Sequence, residues 1–390
     1  MSQVEELKAK VKDIVESQRR QLIQLSLNIH ANPELGFQEE KASTWLINYL
    51  KDNSFHVEEQ IAGLPTAFRA TYGQGNPRIA ILAEYDALPK VGHGCGHNII
   101  AASAVGAGIA SKPAIDSFGG SVVVLGTPGE EVFGGKIDIV KADVFQGIDV
   151  AMMVHPNTRN MVMTQALTCI SLDVEFFGKP AHAAAQPHKG VNALEALILA
   201  FNSINSLRQH MKGEARIHGI ITDGGEAPNI VPAHSAAKFL IRAPDNAYLE
   251  ELKEKALNCF IGASLATGAT LKYDWGNKTY APMKNNLTLA QLFSNNFELL
   301  GRHVESFDPY FGFGSTDMGN VSQVVPSIHP TVAIASSEVL IHTPEFASAA
   351  VSDGGHKGLL DAAKAIAMTV VDIFSQPEML DKIRQEFYSD

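Results

Sequence analysis

The sequence predicts an α/β protein: a mostly parallel sheet domain interrupted by an inserted ferredoxin-like α+β domain. Three observations carry this. Apolar runs rich in Val, Ile and Ala alternate with helical patterns as far as His155, the pattern of a parallel sheet covered on both faces. Near Leu167 the order becomes β-α-β-β-α-β, that of a ferredoxin-like unit. After Tyr280-Ala281-Pro282 the α/β pattern returns. A chain of 390 residues is too long for one ordinary core. The expected division is a larger domain over 1–166 and 281–390 and an inserted one over 167–280.

The elements follow in order. Val4, Leu7, Val11, Ile14, Val15, Leu22, Leu25 and Ile29 recur at helical spacing and predict one long amphipathic helix, stopped by Asn32-Pro33. A second helix is expected from about Glu39 to Lys51, then strands near His56–Gln60, Ala67–Tyr72 and Arg78–Tyr85. The small-residue stretch Asn98–Ala110 reads as a helix packed tightly on the sheet, with Gly106-Ala107-Gly108 serving that close packing. In the insertion, strands are expected at Cys169–Phe177, Glu214–Thr222, Ala236–Arg242 and Thr270–Trp275, and helices at Gly190–His210 and Ala247–Ala263. Beyond it come helices near Asn286–Leu300 and Gly355–Phe374 and a strand near Thr331–Ala335.

Bulk properties exclude several classes. Apolar residues make up 45%, enough for well-buried cores. No apolar run approaches the roughly 18 residues that span a bilayer, and the first residues lack the basic and apolar regions of a secretory signal. No membrane partner is expected. Net charge is −11 with no dense Lys/Arg run, which argues against nucleic acid as a partner. Three cysteines, Cys95, Cys169 and Cys259, form no disulfide framework and suit a reducing compartment, the cytoplasm.

Three apolar strands each run straight into residues that bind metals. Arg78–Ala83 leads to Glu84, Asp86 and then His93-Gly94-Cys95-Gly96-His97; Ser121–Leu125 leads to Glu130-Glu131; Val150–Val154 leads to His155. Ligands of an open α/β sheet collect at the carboxyl ends of its strands. A thiol, imidazoles and carboxylates gathered there suit a metal site with one carboxylate left for proton transfer. Each signal alone is weak. Cys95-Gly96-His97 could be a buried thiol beside a surface imidazole, His93 a structural residue, and Glu130-Glu131 a solvated helix start, where acids are also favoured. The two glutamates are expected on an irregular segment. The helix that Cys95 opens is expected to depress its thiol pKa. Asp86 and Glu84 could orient a ligand without touching metal. Spacing alone gives little reason to choose His342. There is no G-x-S-x-G elbow, no phosphate-binding G-x-x-x-x-G-K-[ST] loop and no complete G-x-G-x-x-G fingerprint.

The same residues carry a family resemblance over nearly the whole chain. His30-Ala31-Asn32-Pro33-Glu34-Leu35-Gly36-Phe37, Glu84-Tyr85-Asp86-Ala87-Leu88-Pro89, Gly94-Cys95-Gly96-His97-Asn98, Gly129-Glu130-Glu131 and Gly178-Lys179-Pro180-Ala181-His182-Ala183-Ala184 resemble the motifs of the family 20 metallopeptidases. That family includes aminoacylases, carnosinase, plant auxin-conjugate hydrolases and aminobenzoyl-glutamate hydrolase. Asn98 stands where the metal motif usually has Asp. The chain most resembles the branch of β-alanyl-lysine-type dipeptidases and aminobenzoyl-glutamate hydrolase.

The resemblance implies roles. Two divalent ions per chain, Zn²⁺ or Mn²⁺, would be held by Cys95, His97, Glu131, His155 and His342, with the Cys95 thiolate linking them and Asp86 behind a ligand. Glu130 would be the general base. Asn229, Arg242, Ser315 and Thr316 would meet the substrate, Arg242 through its carboxylate. His182 would polarise the scissile carbonyl, reaching the active site of the other subunit of a homodimer. The larger domain is then catalytic and the insertion a lid and dimerisation domain. The implied activity is hydrolysis of an N-acyl amino acid or dipeptide-like amide. The rival readings are a catalytically inactive scaffold on the same fold and a thiol redox protein using Cys95; the intact Glu130 and ligand set speak against the first, and the missing resolving cysteine against the second.

Overall fold

The computed structural model describes residues 2–306 and 314–389. They form two compact units. The first runs to Gln165, returns at Met283 and continues from Asp317; the second spans Ala166–Pro282 and takes in the segment that ends at Thr316. That segment lies within the 281–390 stretch read from sequence as part of the larger domain. Leu167 N donates to Gly314 O (2.9 Å), and Ser315 Oγ donates to Leu167 O (2.8 Å), which draws it to the second unit.

The strands of the first unit are β1 (His56–Glu59), β2 (Phe68–Gln74), β3 (Arg78–Ala83), β4 (Gly120–Gly126), β5 (Val150–Met152) and β6 (His155–Asn157). The second unit supplies β7 (Thr168–Phe177), β8 (Arg216–Asp223), β9 (His234–Ala243) and β10 (Thr270–Trp275). The chain then adds β11 (Ser327–Ile328) and β12 (Thr331–Ala333) to the first unit.

The main sheet of the first unit has the order β1-β2-β4-β3-β5-β11. β3 pairs in parallel with β4 and β5, and β5 with β11, while β1–β2 and β2–β4 are antiparallel. Burial on both faces explains why β3 and β4 read as unbroken apolar runs. β6 and β12 form a separate parallel pair just beyond the ends of β5 and β11.

The helix His97–Ala110 is buried along its whole length and packs on β3, β4 and the helix Asp353–Ser375. Its small residues make this possible: a Cβ on Gly108 would meet Val124 Cγ2 at 2.4 Å, and one on Gly106 would meet Leu22 Cδ1 at 2.8 Å. Contrary to the sequence expectation, the helical stretch His97–Phe118 is long and apolar enough to cross a membrane by length and composition, but 94% of its 18-residue apolar window is buried, as befits a core segment.

The expected single N-terminal helix is two, Gln3–Ser17 and Arg19–Ala31, with Gln18 out of helical geometry between them (φ −96°, ψ 4°). Residues 16–21 are all polar, so no apolar stripe holds the junction straight. The Gln18 side chain instead donates to Asn53 Oδ1 (3.3 Å) and accepts from the Tyr49 hydroxyl (3.2 Å). The opening motif has a plain structural use: the Glu34 carboxylate accepts from Lys41 N (3.0 Å) and Ala42 N (3.0 Å), in the first turn of the helix Glu40–Asp52.

The second unit is the ferredoxin-like fold its pattern predicts. Its antiparallel sheet has the order β10-β7-β9-β8. The helices Ala193–Leu207 and Asn246–Thr267 pack on it, burying Leu197, Leu252 and Phe260 with Leu172, Phe176 and Ile241. Side-chain caps start both helices: Asn192 Oδ1 accepts from Glu195 N (3.1 Å) and Asp245 Oδ1 from Tyr248 N (2.7 Å).

Candidate functional site

In the first unit, the residues beyond β3, β4 and β5 converge. Gly96, at φ +79°, precedes the buried His97 at its helix start. A Cβ on Gly96 would meet Pro156 Cγ at 2.6 Å, so glycine is needed to bring the Cys95 loop against the His155 strand. The His97 ring is oriented by Asp86, whose backbone O and Oδ1 both lie 3.0 Å from Nδ1. A carbonyl can only accept, so Nδ1 carries a proton and Nε2 points into the cluster. Asp86 Oδ2 accepts from Glu131 N (3.0 Å). His155 Nδ1 donates to Pro156 O (2.7 Å), leaving Nε2 3.3 Å from Cys95 Sγ. The His342 N–H donates to Gly94 O (2.9 Å), and its Nε2 lies 3.7 Å from Glu131 Oε2.

These contacts yield two sets of three donors that share the thiol: Cys95, His97 and His155, and Cys95, Glu131 and His342. Within each set the donor atoms lie within 4.8 Å of one another. The donor chemistry fits divalent cations. So do the unsatisfied atoms: His97 Nε2 and Glu131 Oε1 are buried without a hydrogen-bond partner, a cost of about 1–3 kcal/mol each that a cation would remove.

The electrostatics differ from the sequence expectation in one respect. Burial, then the Glu131 carboxylate, pushes the Cys95 thiol well up instead of down. The helix begins after Cys95, so its start does not offset the loss of water around the thiol. A bound cation reverses such a shift. Burial would lower His97, but Cys95 and Asp86 outweigh it and hold the imidazole well up. Burial and the positive His97 push His155 down to about 4. Glu130 is raised well above the usual carboxylate range by burial, with Glu84, Asp317 and Glu131 adding to it. Glu130 and Glu131 open the short helix Glu130–Phe133 after Gly129 (φ +70°), not an irregular segment.

Sequence reasoning passed over three neighbours. Lys136 is fully buried; its Nζ contacts Glu84 and lies 2.8 Å from Asp317 Oδ1. Nothing in the local pattern marks it. His329 stacks edge-on against His155, ring centres 5.6 Å apart, and burial with His155 holds it down to about 3. Here a signal existed: His329-Pro330 follows β11 as His155-Pro156 follows β5. Glu39, in the opening motif region, accepts from Gly129 N (2.9 Å), one residue before Glu130, and from the Thr66 hydroxyl (2.8 Å). His93 lies against His30 with ring centres 5.9 Å apart and belongs to neither donor set.

The remaining candidates lie in the second unit. Arg242 Nη1 donates to Ser315 Oγ (3.0 Å), and its buried Nε has no partner. Thr316 follows Ser315. Ala183 N donates to Asn229 O (3.0 Å), and His182 pairs with Ile230, so the His182 and Asn229 segments are neighbours. Both side chains are exposed. His182 Nδ1 accepts from Ala184 N (3.3 Å) and Ala185 N (3.2 Å), which places the imidazole proton on Nε2 and leaves it free to donate.

An α/β unit with paired metal-donor sets beside further buried carboxylates, carrying a ferredoxin-like insertion, defines a metal-dependent hydrolase of amide bonds. The comparisons agree. Residues 168–261 match the peptidase dimerisation domain of the M20 family. The chain is 39% identical to the Xaa-Arg dipeptidase of Mus musculus, covering 99% of this chain and 93% of that one. It is 31% identical to a p-aminobenzoyl-glutamate hydrolase chain of Escherichia coli (strain K12), covering 96% and 94%. Its fold is similar to that of a Bacillus subtilis protein described as a dinuclear metal binding peptidase from the M20 family, with TM-score 0.71, 19% identity and coverage of 92% and 99%. The chain belongs to the M20 family of metallopeptidases.

Proposed function

We propose that the substrate is a dipeptide or N-acyl amino acid with a free carboxylate, and that hydrolysis uses two divalent cations seated on the two donor sets that meet at Cys95. The meeting of two three-donor sets at one shared thiol carries the reading. Cys95, His97 and His155 would hold one ion, and Cys95, Glu131 and His342 the other, with Asp86 orienting His97. Thiolate and imidazole suit zinc, and the carboxylate admits manganese. The ions supply Lewis acidity and lower the pKa of water in the site. Glu130 takes the proton of the attacking water and returns it to the leaving amine. His182 donates its Nε2 proton to the oxygen that becomes negative.

Arg242 grips the substrate carboxylate with its planar fork, oriented by Ser315, and Asn229 and Thr316 line the same recognition. The likeness to Xaa-Arg dipeptidase favours dipeptides over longer peptides. The chain acts as a cytoplasmic homodimer joined through the second unit, consistent with the dimerisation domain match, and His182 serves the partner's site.

The deciding experiment is Glu130→Gln. It keeps shape and removes the basic group, so turnover should fall on the order of 10²–10⁴-fold with metal content unchanged. Turnover like that of the unaltered enzyme refutes the assignment, and lost metal makes Glu130 a ligand instead.

A further inference from the structure

Lys136 belongs to neither donor set, yet its ammonium is fully buried. Burying an unpaired charge costs several kcal/mol, so a buried lysine needs close partners. This one has two. Its Nζ contacts Glu84 and lies 2.8 Å from Asp317 Oδ1, while its backbone N donates to Asp317 Oδ2 at 2.9 Å. Burial would lower the ammonium, but Asp317, Glu84 and Glu130 outweigh that and hold it charged.

The two partners do not stand alone. Oxygens of Glu84, Asp317 and Glu130 lie within 4.8 Å of one another, so three carboxylates crowd one small volume. Glu84 Oε2 also lies 3.4 Å from His97 Nε2. Without a cation among them, carboxylates this close repel one another strongly. The weakest-held of the three would move.

We propose that Lys136 is a positioning residue for Glu130: it balances the charge of Glu84 and Asp317 and fixes both, so that Glu130 is not displaced from the attacking water. This rests on the reading of Glu130 as the base. Lys136 sits on the helix Gly135–Lys141, just after the short helix that carries Glu130, and Asp317 precedes the helix Met318–Ser322, so the clamp also ties the Glu130 region to a segment 181 residues further along the chain.

The test is a charge-balance cycle read by steady-state kinetics on metal-loaded enzyme. Lys136→Met removes the ammonium and leaves the carboxylates unbalanced. Its kcat should fall about 10- to 100-fold, the usual scale for groups standing behind a catalytic site, with KM within about 2-fold and metal content retained. Adding Asp317→Asn removes one of the repelling charges, so the double variant should recover part of that loss while staying below the unaltered enzyme. A merely structural lysine would not give a kcat-only loss that a second charge removal relieves. If Lys136→Met does not fold, the double variant carries the test alone: a lowered kcat at unchanged KM supports the proposal, and an unaltered kcat overturns it. A Lys136→Met enzyme of full kcat, or a double variant no better than the single, also overturns it. Glu130→Gln is measured alongside: if that variant is fully active, the base assignment fails, whereas an inactive Glu130→Gln beside a fully active Lys136→Met removes only the role of Lys136.

Discussion

Replacing Glu39 by Gln should make the stability of this protein less sensitive to alkali. Glu39 has no exposed surface. Burial pushes its carboxyl up to about 7 from an ordinary 4.5, against the hydrogen bond from Thr66, with nearby Asp86 adding to the rise. A folded-state pKa above the unfolded one means that the native state holds the proton more tightly. Its contribution is therefore complete below pH 4.5 and is lost as pH rises through about 7. At 1.36 kcal/mol per pH unit, that gap sets a ceiling of about 3 kcal/mol. Gln keeps both contacts, since its carbonyl can accept from Gly129 N and its amide can donate to the Thr66 oxygen. Thermal unfolding of both proteins at pH 5 and pH 8.5, followed by circular dichroism, reads the effect. The variant should gain on the parent at pH 8.5 relative to pH 5. A difference that stays constant with pH would show that Glu39 does not titrate in this window, and the reasoning would fall.

Arg242→Ala should chiefly weaken capture of substrates with a free carboxylate, bringing the kcat/KM of an acyl amino acid and of its amide together; an undiminished preference for the acid would assign recognition elsewhere. Stripping metal with a strong chelator should abolish turnover and lower the unfolding temperature, because ligands that bind only the native state stabilise it; elemental analysis should return about two divalent ions per chain before stripping. His182→Ala and Glu130→Gln chains, each nearly inactive alone, should regain activity when mixed under conditions that exchange subunits, since one site of the mixed dimer has both groups; proven exchange without activity would refute action across the dimer.

Much of this architecture is legible in the sequence because its signals are local. β3 and β4 are buried on both faces and read as apolar runs. The period-2 burial of β7 and β9 marks a half-covered sheet. The break at Gln18 is harder to see, because it depends on Asn53 and Tyr49, distant in sequence. The same divide runs through the site. Cys95, His97, Glu131 and His155 announce themselves at strand ends, where topology predicts ligands. His342 lies on a loop far along the chain, its N–H donating to Gly94 O, so in the sequence only the family resemblance points to it. Lys136 and Asp317 are 181 residues apart; a buried ion pair of that kind leaves no local period to read.

The burial of the helix His97–Ala110 along its entire length orders the way metal can be lost. Amides in such an element exchange with solvent only when the whole unit opens, whereas loops open at far lower cost. His97 stands at the end of that slow element. His342, with 54% of its side chain exposed, stands on a loop. A cation seated on Cys95, Glu131 and His342 would thus leave sooner than one on Cys95, His97 and His155. Dilution into metal-free buffer should therefore pass through an enzyme with one ion, the two ions leaving at different rates.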